Sequence, residues 1–416
     1  MRGGKVVRVR HDKKLLSFIC NDKIVIFLFI IFLFCTSQGG EAAAQAVPKN
    51  VEIEQETLIE EQLDKLGIED LKEYWTTVIT EYGGFLPESQ KGTFIEFVKG
   101  EKNFSFKEWT VGGVKFFLHE LLVHGKLLGS LIFLVVFAVL LQTIQNAFEF
   151  NAVSKVAYAI IYMVLIILAL NSFHVAISYT EQAIENMTGF MIALMPMLLA
   201  LMASIGSVTS VAFFHPIIVF LVHTSGIFIQ NFVLPLLFLS ALLSIVSTLT
   251  DHYKVTQLAN LLRNISIGSL GLFFTIFLGV ISVQGASTAV ADGITIRTAK
   301  FITGNFVPVI GRMFTDATDT VMSASVLLKN MVGIAGVTLL IILAAFPALK
   351  VLALAMIYNI AGAVLQPLGG GPIIACLSII GKSVIFIFAA LATISLMFFL
   401  AVTIMIAAGN LSMMMR

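Results

Sequence analysis

Residues 384–408 read VIFIFAALATISLMFFLAVTIMIAA, twenty-five residues without a charge. About twenty apolar residues in helical form cross the hydrocarbon core of a bilayer. Lipid tolerates only backbone that satisfies its own hydrogen bonds, so this run predicts a transmembrane helix. Working outward, comparable runs lie near 127–148, 156–177, 187–206, 211–230, 232–250, 265–284 and 331–349, and an interrupted one occupies 351–380. The pattern predicts an all-α, polytopic helical membrane protein of seven to nine spans, with a small helical extracytoplasmic N-terminal domain.

Composition agrees. The 416 residues are 58% hydrophobic and 12% charged, and the mean hydropathy of +0.96 lies outside the range of soluble domains. A net charge of +1 conceals a strong asymmetry. Residues 48–126 hold fifteen of the twenty-five carboxylates and nine of the twenty-six basic residues, whereas 127–416 carries seventeen charges in all. The chain is an acidic head on an apolar body.

Residues 1–46 read as a signal peptide, with a basic start (Arg2, Lys5, Arg8, Arg10, Lys13, Lys14, Lys23), an apolar core from Ile24 to Phe34 and small residues at Ala42, Ala44 and Ala46. The alternative is an uncleaved anchor. Cleavage removes Cys20 and Cys35 and leaves Cys376 alone, so no internal disulfide is then available.

Residues 47–126 form the acidic head. Leu58, Ile59, Leu63, Leu66 and Leu71 recur near helical spacing, and Tyr82-Gly83-Gly84-Phe85-Leu86-Pro87 breaks the pattern. Ser105 and Glu108 have capping-box spacing, opening an aromatic-rich stretch that is either an interfacial helix or the start of the first span. With the head outside, the segment 178–186, carrying Glu181 and Glu185, is an outer loop, and 251–264, with Lys254 and Arg263, lies inside.

Residues 127–284 form a first bundle of about six spans. Residues 285–330 are a polar amphipathic or re-entrant segment, and 331–416 returns to membrane helices with a break at 366–372. Basic residues in the second half (Arg297, Lys300, Arg312, Lys329, Lys382) leave five on each side, which decides nothing about its topology. Thr250-Asp251 leading to Leu261-Leu262-Arg263-Asn264 parallels Thr315-Asp316 leading to Leu327-Leu328-Lys329-Asn330. That is either an internal repeat of the kind found in membrane carriers or a chance similarity between two span entries.

Motifs for chemistry fail on inspection. His119-Glu120 and His124 are five apart rather than four, so the imidazoles diverge by about 140° and cannot share a zinc ion. Gly381-Lys382-Ser383 lacks the glycine that a phosphate loop needs five residues earlier, where Cys376 stands. Neither a catalytic, a metal nor a cofactor-binding residue is assigned, and the chain is read as no enzyme. Polar groups inside spans are His215, His223, Gln284 and Asn359, with no carboxylate expected deep in a span to pair with them. The run Gln366-Pro367-Leu368-Gly369-Gly370-Gly371-Pro372 must break a helix, either as a re-entrant element or as a turn. Candidate path-lining or packing residues are therefore Gln284, Gly285, Ser287, Asn359, Gln366, Gly369, Gly370 and Gly371.

Several strings carry a resemblance: Glu81 to Gly92 (EYGGFLPESQKG), Asn151 to Lys155 (NAVSK), Thr248 to Asp251, Lys254 to Arg263, Ala291 to Thr295 (ADGIT) with Thr303-Gly304-Asn305, the Gln366 to Pro372 run, and the ending Ala408 to Arg416. They resemble stage III sporulation protein AE of endospore-forming bacilli over essentially the whole chain after the signal. The resemblance implies a multi-pass protein of the mother-cell membrane surrounding the forespore, acting in a transenvelope channel or feeding tube. It further implies partners from the same operon, including a separate cytoplasmic ATPase and ring-forming membrane proteins, as well as a forespore-side channel partner. Membrane lipids are expected to surround it, and no nucleic acid.

Overall fold

The computed structural model describes residues 68–87, 92–98, 105–147, 152–248, 254–306, 310–368 and 371–414. The expected signal peptide, the rest of the head, Gly369 and Gly370 lie outside the described residues. Chain contacts separate Met1–Ile53 from Glu54–Arg416, and every described residue belongs to the second unit.

Described secondary structure is helical throughout: α1 Glu69–Tyr82, α2 Phe94–Val98, α3 Phe106–Val123, α4 Gly125–Ala147, α5 Ala152–Ser204, α6 Val208–Phe228, α7 Leu234–Val246, α8 Thr256–Phe306, α9 Ile310–Leu365 and α10 Pro372–Met414. A π-turn at Ile229–Val233 joins α6 to α7 without a reversal. Its cause is local: Pro235 opens α7 and cannot donate to the preceding turn, so the amide of Leu234 reaches back five residues to the Ile229 carbonyl.

These helices are longer and fewer than the apolar runs suggest. Runs 156–177 and 187–206 are halves of the 53-residue α5, runs 211–230 and 232–250 fall on the continuous α6–α7 rod, and run 331–349 continues into the 56-residue α9. The outer loop expected at 178–186 is helix instead, because the segment contains neither Gly nor Pro, and charges alone do not end a helix. Five helices among the described residues are long and apolar enough to cross a membrane, or six if Lys107–Val123 and Gly125–Leu141, bent by 45° at His124, count as one span. Among the described residues there are thus five or six candidate spans, and seven to nine are not borne out. Residues 285–306 continue α8 without interruption, and α9 begins at Ile310.

Reversals are tight. α5 ends in a Schellman turn: Gly206 has φ 83°, the Ser207 amide donates to the Met202 carbonyl at 3.0 Å and the Gly206 amide to that of Ala203 at 2.9 Å. Ser105 precedes α3 as expected, but its side chain makes no capping hydrogen bond.

α10 is the central helix, buried on most of its faces from Cys376 to Met405. Contacts fix the registers around it. Arg263 lies over the Phe386 ring and Gly285 faces Ile404, so α8 and α10 run parallel. Asn359 faces Gly381 and Gly333 faces Ile406, so α9 and α10 are antiparallel. The head does not stand apart: α1 and α3 dock on α5 and α9 through rings, Tyr82 stacking on Phe346 at 4.3 Å and Phe116 meeting it edge-on at 4.7 Å.

Candidate functional site

Two buried charges converge on one end of the bundle. Asp292 on α8 is 1% exposed and Lys329 on α9 is also 1% exposed. Neither stands out in the sequence. Asp292 lies in the Ala291–Thr295 string and Lys329 was expected on a surface or re-entrant segment.

The Asp292 carboxylate caps α6. Its Oδ1 accepts from the amides of Thr209 at 3.0 Å and Ser210 at 3.3 Å, and its Oδ2 accepts from the Ser210 amide at 3.2 Å and from the Ser210 hydroxyl. The first amides of a helix lack internal partners and carry the positive end of its dipole. That need is ordinarily met by the residue just before the helix, yet the Ser207 side chain makes no capping bond. A carboxylate 82 residues away does so instead. Asp292 is buried in protein near the end of a helix whose apolar stretch runs from Thr256 to Thr295, where the sequence singled out no carboxylate.

Lys329 clamps α9 to α10. Its ammonium donates to the Asn410 Oδ1 at 2.6 Å and the Ile406 carbonyl at 3.1 Å. Gly409 makes room for it, since a Cβ there would sit 2.6 Å from Nζ. A cation within two turns of the α10 C-terminus also opposes the negative end of that helix dipole. The proposed repeat places Arg263 opposite Lys329 in sequence. Both meet α10, but at Phe386 and Ile406, about 30 Å apart along the helix.

The candidate path residues fall into two groups rather than one. Gln284, half-buried, and Gly285 lie at the end with the buried charges; a Cβ on Gly285 would approach Ile404 to 2.8 Å, and Ser287 nearby is exposed. Asn359 is at the opposite end, exposed, its Oδ1 occupying the space a Cβ on Gly381 would need. Gln366 also lies there, exposed in a 3₁₀ turn, and half-buried Gly371 starts α10 by accepting from the amides of Ile374 and Ala375. Gly381 and Ile404 are 23 residues apart on α10, about 35 Å, so the two groups do not line a single constriction.

Between the two ends lies a polar waist. Lys350 pairs with Glu81 at 2.9 Å and sits over the rings of Tyr82 and Tyr179 at 5.4 and 5.5 Å. Gln230 in the π-turn donates to the Glu181 carbonyl at 3.3 Å. Beside the waist, a cavity of about 540 Å³ is lined by Asp70, Glu73, Tyr74 and Thr77 of α1 and by Asn186, Gly189 and Pro196 of α5. Burial raises the Tyr82 phenol above its ordinary value, and its hydrogen bond to Glu81 and the Glu81 and Glu120 charges add to this. Tyr74 is raised as well, by burial first and then by Glu73 and Asp70.

No metal geometry emerges. Among the described residues no group of three or more His, Cys, Asp or Glu side chains is placed to hold an ion. His119 packs on Phe85 at 5.3 Å, and His124 Nε2 lies 3.6 Å from Glu120. His215 and His223 are exposed on α6. Gly381-Lys382-Ser383 is continuous helix, with the Ser383 hydroxyl bonded to the Ile379 carbonyl. Cys376, the one cysteine among the described residues, is buried.

Comparison with known proteins places this architecture. A family described as stage III sporulation protein AE matches residues 89–409. The chain is 62% identical to a protein named stage III sporulation protein AE from Bacillus subtilis (strain 168) over 393 residues, 94% of this chain and 98% of that one. No solved structure matches.

Proposed function

We propose, from the premise that this chain belongs to the stage III sporulation protein AE family, that it is a non-enzymatic membrane component of a transenvelope channel joining mother cell and forespore. In this reading it resides in the mother-cell membrane around the forespore. It works beside ring-forming membrane proteins and a separate cytoplasmic ATPase from the same operon, and meets a forespore-side channel partner. The observation that carries the reading is the family match over nearly the whole length, joined to a bundle of apolar helices with an acidic helix docked on its flank. A motor elsewhere accords with the helical course of Gly381-Lys382-Ser383, which offers no loop to cradle a nucleotide.

A scaffold without a conduit is favoured by one specific observation. Gln284 to Ser287 on one side and Gln366 with Gly371 on the other, among the residues first considered for a path, are separated by the length of the core. A small-solute permease is the remaining alternative. Single cysteines at Ser287 and Gly370 in a Cys376→Ser background, tested with water-soluble thiol reagents in sporulating cells, separate the first two. Labelling of both positions, blocked by a forespore-side partner, supports the channel; sealing of both leaves the scaffold. In parallel, deletion of the gene should abolish heat-resistant spores, and an undiminished yield would overturn both readings.

A further inference from the structure

The helices are too long for one bilayer. α5 has 53 residues and α9 has 56, about 80 Å each, against a hydrocarbon core of roughly 30 Å. Even a tilt of about 40°, the upper end for membrane helices, leaves some 60 Å along the normal. At least half of the bundle must therefore lie outside hydrocarbon.

The waist divides it into nearly equal parts. From Ala152 to Tyr179 α5 advances about 40 Å, and from Glu181 to Ser204 about 35 Å. The two parts carry similar apolar surface, Met163 being 62% and Val364 55% exposed in one, Phe213 55% and Ile334 67% in the other. Hydropathy alone does not choose between them.

Charge does. Centring hydrocarbon on the waist would immerse the Glu81–Lys350 pair and the exposed Glu185, at roughly 3 kcal/mol for each charged group. Covering the part that carries Asp292 and Lys329 is excluded by α1, which runs along it from the waist. Tyr74 of α1 meets Phe190 at 5.6 Å, and exposed Asp70 and Glu73 line the cavity beside Gly189 and Pro196. Those carboxylates need water at a depth where hydrocarbon would otherwise stand. The remaining part suits a bilayer. α4, 23 residues and about 35 Å, is apolar from Leu127 to Leu141 save for Ser130, and the far end carries exposed Lys254, as a cytoplasmic surface should.

We infer that the bilayer surrounds only the part of the bundle between the Glu181–Lys350 waist and the Gln366–Pro372 break, and that the part holding Asp292 and Lys329 projects from the membrane alongside α1. The waist is the membrane surface, and the Gln366–Leu368 turn lies at the opposite one. This goes beyond the family assignment and holds whether the protein is a conduit or a scaffold.

The test uses full-length protein, purified alone and placed in nanodiscs containing lipids with nitroxide on the acyl chain. Single cysteines in the Cys376→Ser background carry a fluorescent bimane at Met163 or Val364, and at Phe213 or Ile334. All four positions are exposed, so labelling leaves the packing intact, and two per part guard against a single misfolded variant. Strong quenching at Met163 and Val364, at least five-fold above that at Phe213 and Ile334, is the expected result. Equal quenching at all four, quenching only at Phe213 and Ile334, or none anywhere overturns the inference. A loss of sporulation by the same variants would bear on the proposed function and leave this readout untouched.

Discussion

The two ends of the helical bundle manage a chain reversal by opposite means. At one, α5 turns into α6 through three residues, and the exposed amides of α6 are closed by the buried Asp292 of a distant helix. At the other, α9 passes to α10 through Gln366, Pro367 and Leu368, all exposed, with the new helix opened by its own backbone at Gly371. The second reversal is conspicuous in sequence and energetically local. The first is inconspicuous and depends on tertiary structure, because its acceptor arrives from 82 residues away. Buried polar groups without water must find protein partners, so the dry end binds its neighbours together while the wet end has no need to.

Breaking Asp292 should therefore have the largest effect. Asp292→Ala leaves the α6 amides and Ser210 unpaired in a dry site and should cost about 3 kcal/mol, with Asp292→Asn costing less than half of that. Thermal unfolding of the detergent-solubilised protein reads both; an Ala variant as stable as the parent would show that the carboxylate does not hold the turn. Next comes the Lys329 clamp. Lys329→Ala empties the space beside Gly409 and strands Asn410, costing about 2 kcal/mol, whereas Lys329→Met keeps the volume, removes a buried charge and should lose under half as much. Equal losses for the two would mean that the charge, not the packing, matters.

At the wet end, Gln366→Ala should change stability by less than about 0.5 kcal/mol. A loss as large as that of Asp292→Ala would abolish the contrast between the ends.

The waist supplies the smallest effect at neutral pH. Tyr82 and Tyr74 have folded values raised above the ordinary phenol value of 10.0, chiefly by burial. The un-ionised phenol is the stabilised form, so its contribution is complete below pH 10 and is lost as pH rises through the elevated folded values. An alkaline spectrophotometric titration should show both phenols lagging behind the other tyrosines, and Tyr82→Phe should remove part of the lag while leaving neutral-pH stability nearly unchanged.

Much of this architecture was legible in the residues. Runs such as 384–408 marked helices because lipid leaves an apolar segment no other way to satisfy its backbone, and Pro367 and Pro372 with the glycines marked the α9–α10 break. The union of 156–177 with 187–206 was not legible, because Glu181 and Glu185 resemble a loop until Gln230, Lys350 and α1 are seen packed around that level. Of the candidate residues, Gln284 and Gly285 lie with the buried charges and Asn359 and Gln366 do not, a separation that spacing along the chain could not express.

By itself, the sequence determined that the chain is helical, that it belongs with membrane proteins, where its family strings lie and where one helix must break, since each of these depends on side chains within a turn or two of one another. Tertiary structure alone decided which polar groups are buried and what satisfies them. Asp292 meets Ser210, and Lys329 meets Asn410, only after helices far apart in the chain have packed. A carboxylate buried in an apolar helix is costly or stabilising according to whether a helix end points at it, and that is a property of the fold.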